Sequence, residues 1–165
     1  NKLTHQIISD NLHLSAIYYP KSIIELLNSP IIISQIDYNL FYTRRNFFGQ
    51  TWLHILCQYN IEYYDSIKEL IEIELIHVKD IVGNTCLHVI SRFNPEYLEK
   101  FLTNKNINNY LLSSKDILGN TFLHILNYHH PNHYKKIEKL FNNNIIKIKN
   151  IFGSECYNYY QESNL

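Results

Sequence analysis

NFFGQTWLH (Asn46–His54), DIVGNTCLH (Asp80–His88) and DILGNTFLH (Asp116–His124) are three copies of one phrase, and a worn fourth, NIFGSECYN, runs from Asn150 to Asn158. The chain has four glycines, Gly49, Gly83, Gly119 and Gly153, and all of them occupy the same place in the phrase, 34, 36 and 34 residues apart. Glycine used only there marks a backbone position that requires φ > 0 or leaves no room for a side chain. A period of this length is the signature of a repeat architecture.

Working outward, each phrase opens a stretch with helical periodicity. Thr51 reads as an N-cap, with Leu53, Ile55 and Leu56 starting a buried face, so a helix is expected from Thr51 to about Tyr59 and a second from about Tyr64 to Glu74. His88 is followed thirteen residues later by Phe101-Leu102, matching the interval from His13 to Leu26. Leu70-Ile71 and Leu140-Phe141 come three residues later than that, which suggests longer interhelical turns in those units. Upstream, Leu12, Ala16, Ile23, Ile24 and Leu27 suit two short helices broken near Pro20, a terminal unit whose glycine position would fall at Ile8. Ile31-Ile32-Ile33 lies in an irregular insertion between Asn28 and Arg45 and is expected to be covered; Asn104 to Ser114 reads as a polar loop.

The bulk composition narrows the function. The apolar fraction of 45% is that of a globular protein, and fifteen basic residues balance fifteen acidic ones. No excess of positive charge points to nucleic acid or to an anionic membrane. No apolar run approaches the roughly 18 residues of a membrane-spanning helix, and the opening NKLTHQIISD has no secretory-signal pattern. Three cysteines, Cys57, Cys86 and Cys156, without CxxC spacing argue against a disulfide framework and for a reducing compartment.

The pattern Asp-x-x-Gly-x-Thr-x-Leu-His resembles the ankyrin repeat, over roughly residues 9 to 162, with the family's proline replaced by Trp52, Cys86, Phe122 and Cys156. The resemblance implies an all-α repeat solenoid of helix-turn-helix pairs joined by β-hairpin loops. It implies one domain over 1–165, with repeats at about 9–30 (degenerate), 46–79, 80–115, 116–149 and a partial 150–165. By the same resemblance Gly49, Gly83, Gly119 and Gly153 end hairpin turns, and Thr51, Thr85 and Thr121 cap helices. His54, His88 and His124 would bridge one repeat to the next. Stacked units hold such histidines about 10 Å apart, the spacing of packed helices. That is too far to share a metal bound at about 2 Å.

Other chemistry is thinly supported. His129, His130 and His133 form an HHPNH cluster that reads as a solvated turn, with metal binding the rarer alternative. Cys57 follows His54 by three residues, but that histidine is committed to the scaffold and a small buried cysteine is ordinary packing. The expectation is a non-enzymatic chain with no catalytic residues, metal, cofactor or small-molecule substrate.

The variable positions point to a protein partner. The two residues before each glycine are Phe47-Phe48, Ile81-Val82, Ile117-Leu118 and Ile151-Phe152, apolar where the family is often polar. Eight such residues in register make either an exposed interaction strip or a row of side chains folded onto neighbouring hairpins. The first-helix ends, Tyr59, Arg92-Phe93 and Tyr128-His129, add residue types enriched at interfaces. The Ile-, Asn-, Lys- and Tyr-rich composition resembles that of AT-rich genomes, and the degenerate repeats are similar to poxvirus-like and polydnavirus-like ankyrin proteins. That implies a cytoplasmic or nuclear protein acting in a host cell by sequestering or recruiting a host factor. A likeness to the inhibitors of Rel-family transcription factors and a structural subunit of a larger assembly are the alternatives. Loss of a threonine cap is expected to cost Thr85→Ala about 1 kcal/mol in denaturant unfolding; an unchanged midpoint would count against the repeat alignment.

Overall fold

A computed structural model of the chain describes residues 11–29, 44–69, 71 and 73–157. Ile8, the Ile31–Ile33 run, Leu70, Glu72 and everything from Asn158 on lie outside the described residues. Within them the protein is all-α, with short helices and no strand; a lone antiparallel bridge joins Lys149 to Glu155.

Helix α1 (Leu12–Tyr18) stops at Tyr19, because Pro20 lacks an amide hydrogen and starts α2 (Pro20–Leu27) from its first position. Helix α3 (Trp52–Tyr59) begins after Thr51, whose extended backbone (φ −84°, ψ 168°) is that of an N-cap. A 3-10 turn, Ile61–Tyr63, then leads into α4 (Tyr64–Ile67), and one-turn α5 (Ile73–Ile76) follows. The third unit repeats the plan with α6 (Cys86–Phe93), a 3-10 turn at Pro95–Tyr97, α7 (Leu98–Leu102) and one-turn α8 (Asn109–Leu112). The fourth has α9 (Phe122–His129), α10 (Pro131–Ile137), a 3-10 turn at Glu138–Leu140 and α11 (Asn143–Ile146).

The first helices pack in series, α1 on α3, α3 on α6 and α6 on α9. Helix α2 folds back on α1, α7 on α6 and α10 on α9, while α4 packs on α2. The core therefore runs along the series as a row of buried side chains. Leu53, Leu87 and Leu123 from the phrase and Leu56, Ile90 and Leu126 one turn later are all fully buried.

Several expectations about the second helices need correction. The helix expected from Tyr64 to Glu74 ends at Ile67, and α5 is separate. Leu140 is exposed, so it is not the equivalent of Phe101. The buried residue in each unit is instead Leu26, Ile67, Phe101 and Ile137, each thirteen residues after His13, His54, His88 and His124. The interhelical register is thus uniform, and exposed Leu140 is not part of it. The segment 104–114 is not a bare loop either. Asn108 caps α8 by accepting the Leu111 amide at 2.9 Å, and buried Leu111 anchors it. Asn104 donates to the Tyr64 hydroxyl at 3.0 Å and to the Lys68 carbonyl at 3.1 Å, which holds the segment to the preceding unit.

Each phrase opens with a tight turn closed by backbone pairing. Asp80 N–H donates to the Asn84 carbonyl (2.9 Å) and Gly83 N–H to the Asp80 carbonyl (3.0 Å). The Asp80 carboxylate accepts the amides of Val82 (3.0 Å) and Asn84 (2.8 Å) on a single oxygen. Gly83 then takes φ +84°, the left-handed residue that closes a three-residue hairpin loop. The four glycines share that conformation, but the space around them differs. A Cβ on Gly49, Gly83 or Gly119 would meet the backbone of the next hairpin at 2.8–2.9 Å, whereas one on Gly153 meets nothing within 4 Å. Gly153→Ala should therefore lose only the left-handed penalty, about 1–2 kcal/mol. Gly83→Ala should lose about 1–3 kcal/mol more through overpacking against Asp116. Urea unfolding of the two variants reads the difference, and equal losses would sink it.

Candidate functional site

The histidine of each phrase joins two units. The His88 ring accepts the Thr85 amide on Nδ1 (3.2 Å) and lies 2.9 Å from the Thr85 hydroxyl. Its other nitrogen faces the Asn120 carbonyl of the next unit at 3.1 Å. A carbonyl only accepts, so Nε2 carries the proton and Nδ1 is bare. His54 makes the same bridge to Asn84 (3.1 Å) and His124 to Ser154 (3.0 Å), and His13 reaches the Gln50 carbonyl at 2.7 Å. In the three phrases the ring completes a capping box, taking the place of the usual Glu or Gln at N3.

Three further sets of bonds cross the same joints. The Phe48, Val82 and Leu118 carbonyls accept the amides of Ile81, Ile117 and Ile151 at 2.9–3.0 Å, tying tip to tip. Arg45 donates to the Lys79 carbonyl (2.9 Å), Lys79 to that of Lys115 (2.9 Å) and Lys115 to that of Lys149 (2.8 Å). At the far end of each first helix Asn60 reaches back to the Ala16 carbonyl (2.7 Å), Asn94 to Cys57 (2.8 Å) and His130 to Arg92 (2.9 Å). Sequence reasoning missed these last two sets. Their signal was available, since Asn60, Asn94 and His130 recur at the glycine period, as do Arg45, Lys79, Lys115 and Lys149.

The candidate chemistry at His54 and Cys57 finds no free base, because both ring nitrogens are engaged. Burial, with the Cys86 thiol alongside, pushes the Cys57 thiol well above its usual range and keeps it protonated. The HHPNH segment is not a turn. His129 ends α9, His130 is the hinge, and Pro131 starts the helix that carries His133. With the His130 ring on the Arg92 carbonyl, its part is that of Asn60 and Asn94. Among the described residues no three His, Cys, Asp or Glu side chains could hold a metal ion together. No helix among them is long and apolar enough to cross a membrane.

The variable positions converge elsewhere. Phe47, Phe48, Ile81, Val82, Ile117, Leu118, Ile151 and Phe152 are all exposed. Within the pairs, Val82 (39%) is more covered than Ile81 (63%), and Leu118 (41%) more than Ile117 (65%). Phe48 (58%) is likewise more covered than Phe47 (91%). In the last pair the order reverses, with Phe152 (68%) more exposed than Ile151 (64%). Behind the tips lies a groove of about 550 Å³. It is lined by Val82, Ile117 and Leu118 of the tips, by Arg92, Phe93, Tyr128 and His129 at the first-helix ends, and also by Asp80 and Asp116. The Arg92 guanidinium sits 5.4 Å from the Phe93 ring centre, and the His129 ring meets Tyr128 edge-on at 4.9 Å. Burial, then the Arg92 charge, lowers the proton affinity of His129. Tyr59 is exposed on α3, while Phe47, Phe48, Tyr59 and Ile81 do not line this groove. No protein-family model matches the chain, and a search of curated proteins finds no significant match.

The bridging histidines make the joints acid-sensitive. Burial lowers the proton affinity of His13, His54, His88 and His124, bringing His88 to about 4. The unfolded chain binds these protons more readily, so the stability held by neutral rings is complete above the ordinary value near 6.5 and is lost as pH falls from there. His88 alone should account for about 2 kcal/mol between about pH 7.5 and pH 5. Urea midpoints at the two pH values test this, and a flat profile would rule it out.

Proposed function

We propose that the chain is an ankyrin-repeat protein that binds a protein partner along its hairpin tips and first-helix ends, and that it carries out no catalysis. The observation that supports the reading most is the set of eight apolar tips. All are exposed and in one register, and three of them, Val82, Ile117 and Leu118, line a groove with Phe93, Tyr128 and Arg92. Contiguous apolar surface of this kind is uncommon on a protein with nothing to bind, and aromatic and arginine side chains dominate interface energetics. The uniform thirteen-residue interval, the left-handed glycines and the histidine bridges favour ankyrin repeats as the scaffold.

The host-directed reading, in which the partner is a cellular factor sequestered or recruited in the cytoplasm or nucleus, follows from the compositional resemblance. A Rel-homology domain is one specific candidate to include among the partners tried. The same exposed strip is also compatible with a permanent place in a larger assembly. Size-exclusion chromatography separates the two, since a permanent subunit alone should oligomerise or aggregate.

Affinity capture from host cells, followed by titration of the captured partner with variants, tests the binding face. Phe93→Ala and Tyr59→Ala should each weaken binding by about 2 kcal/mol or more, and Ile81→Asp should weaken it further. Partner binding indifferent to all three would place the interface elsewhere.

A further inference from the structure

The apolar tips are accompanied by a row of positive charge that the neutral overall balance conceals. The segments 44–50, 79–84, 115–120 and 149–154 hold five basic side chains, Arg44, Arg45, Lys79, Lys115 and Lys149, and two acidic ones, Asp80 and Asp116. The chain as a whole holds fifteen of each. Each of the two carboxylates accepts two hairpin amides on one oxygen and an asparagine side chain on the other, which fixes its place and leaves its charge, so positive charge still exceeds negative in these segments by five to two. In the outer hairpins the same place is held by uncharged Asn46 and Asn150, which make the same amide bonds. Neither Asn46 nor Asn150 offsets the cation beside it, although Glu155 lies across the bridge from Lys149.

The hydrogen bonds of the row leave its charge intact. Arg45, Lys79 and Lys115 each donate to a carbonyl, which occupies one donor and neutralises nothing. Among the described residues none of these three, nor Lys149, forms an ion pair. The ion pairs among the described residues join Lys68 and Lys100 to Asp65 and Lys105 to Glu69, on the second helices and the segments after them. Each cation lies two residues before the first apolar tip of its hairpin, so a positive row and an apolar row run side by side at one pitch.

Building on the binding face proposed above, we infer that its partner is an acidic, apolar-rich protein segment, with aliphatic or aromatic side chains against the tips and carboxylates against the Arg45–Lys79–Lys115–Lys149 row. A groove of side-chain dimensions behind the tips suits a peptide better than a flat lipid surface. An apolar strip beside the charges would be wasted on a sugar-phosphate backbone, whose contacts are mostly polar.

The test is a random peptide library displayed on phage and selected on the intact chain. Selected peptides should combine Asp and Glu with Leu, Ile or Phe and lack Lys and Arg. Their affinity for the unmodified protein should fall about tenfold or more when sodium chloride rises from about 50 mM to about 500 mM, as screening shortens the reach of the charges. The double change Lys115→Gln with Lys149→Gln should weaken them similarly, and Lys135→Gln with Lys136→Gln, away from the tips, should not. Neutral or basic peptides that bind the tips without salt dependence would overturn the charge assignment and leave the binding face standing. Failure to select any peptide that Ile117→Asp releases would overturn both. Co-sedimentation with phosphatidylserine vesicles that Lys149→Gln abolishes, in place of peptide binding, would assign the row to a lipid surface instead.

Discussion

A histidine ring with one bare and one protonated nitrogen decides how this chain holds together. Its bare nitrogen closes the start of its own helix on Thr51, Thr85 or Thr121, and its protonated nitrogen reaches the next unit. Local helix formation and long-range packing are thereby coupled through one side chain. An eight-residue helix is too short to persist alone, so each depends on being capped and on being packed. The ring serves both needs only while neutral, because a proton on the bare nitrogen would turn an acceptor toward two donors.

Around that ring the labour divides by position. Leu53, Leu87 and Leu123 fill the core, and Gly49, Gly83 and Gly119 let adjacent hairpins approach to backbone contact. The two residues before each glycine do neither, since their amides and carbonyls hold the hairpins together while their side chains project outward. Backbone supplies the adhesion there and leaves the side chains unconstrained by packing. That is the condition under which a surface can acquire specificity without loss of fold.

Much of this was legible because the repeat supplies its own alignment. Gly, Thr, Leu and His stand in columns, and the columns carry the scaffold. What escaped notice was also columnar but chemically plain. Asn60 and Asn94 look like ordinary helix-end residues, and His130 hid the third member of their set by changing residue type. The cations Arg45, Lys79, Lys115 and Lys149 stand one period apart, and a balanced overall charge hides them. The second helices misled for a different reason. Leu140-Phe141 is as apolar as Phe101-Leu102, and only packing reveals that Ile137 takes the buried place. Leu111 likewise disappeared into an asparagine-rich context that suggested solvent.

The fasteners between units are spread apart, and this has a mechanical consequence. At the joint between α3 and α6 the His54 bond meets Asn84 just before eight-residue α6, and the Asn94 bond to Cys57 starts just past its end, about 12 Å away at the helical rise. The tip-to-tip bond lies off that line, on the projecting hairpin. Attachments at separated points resist torsion as well as separation, much as three bolts fix a plate that one would let spin. Neighbouring units therefore have little freedom to swivel. The tips of this chain should behave as a ruler with fixed graduations, able to measure a partner's spacing and not merely to adhere to it.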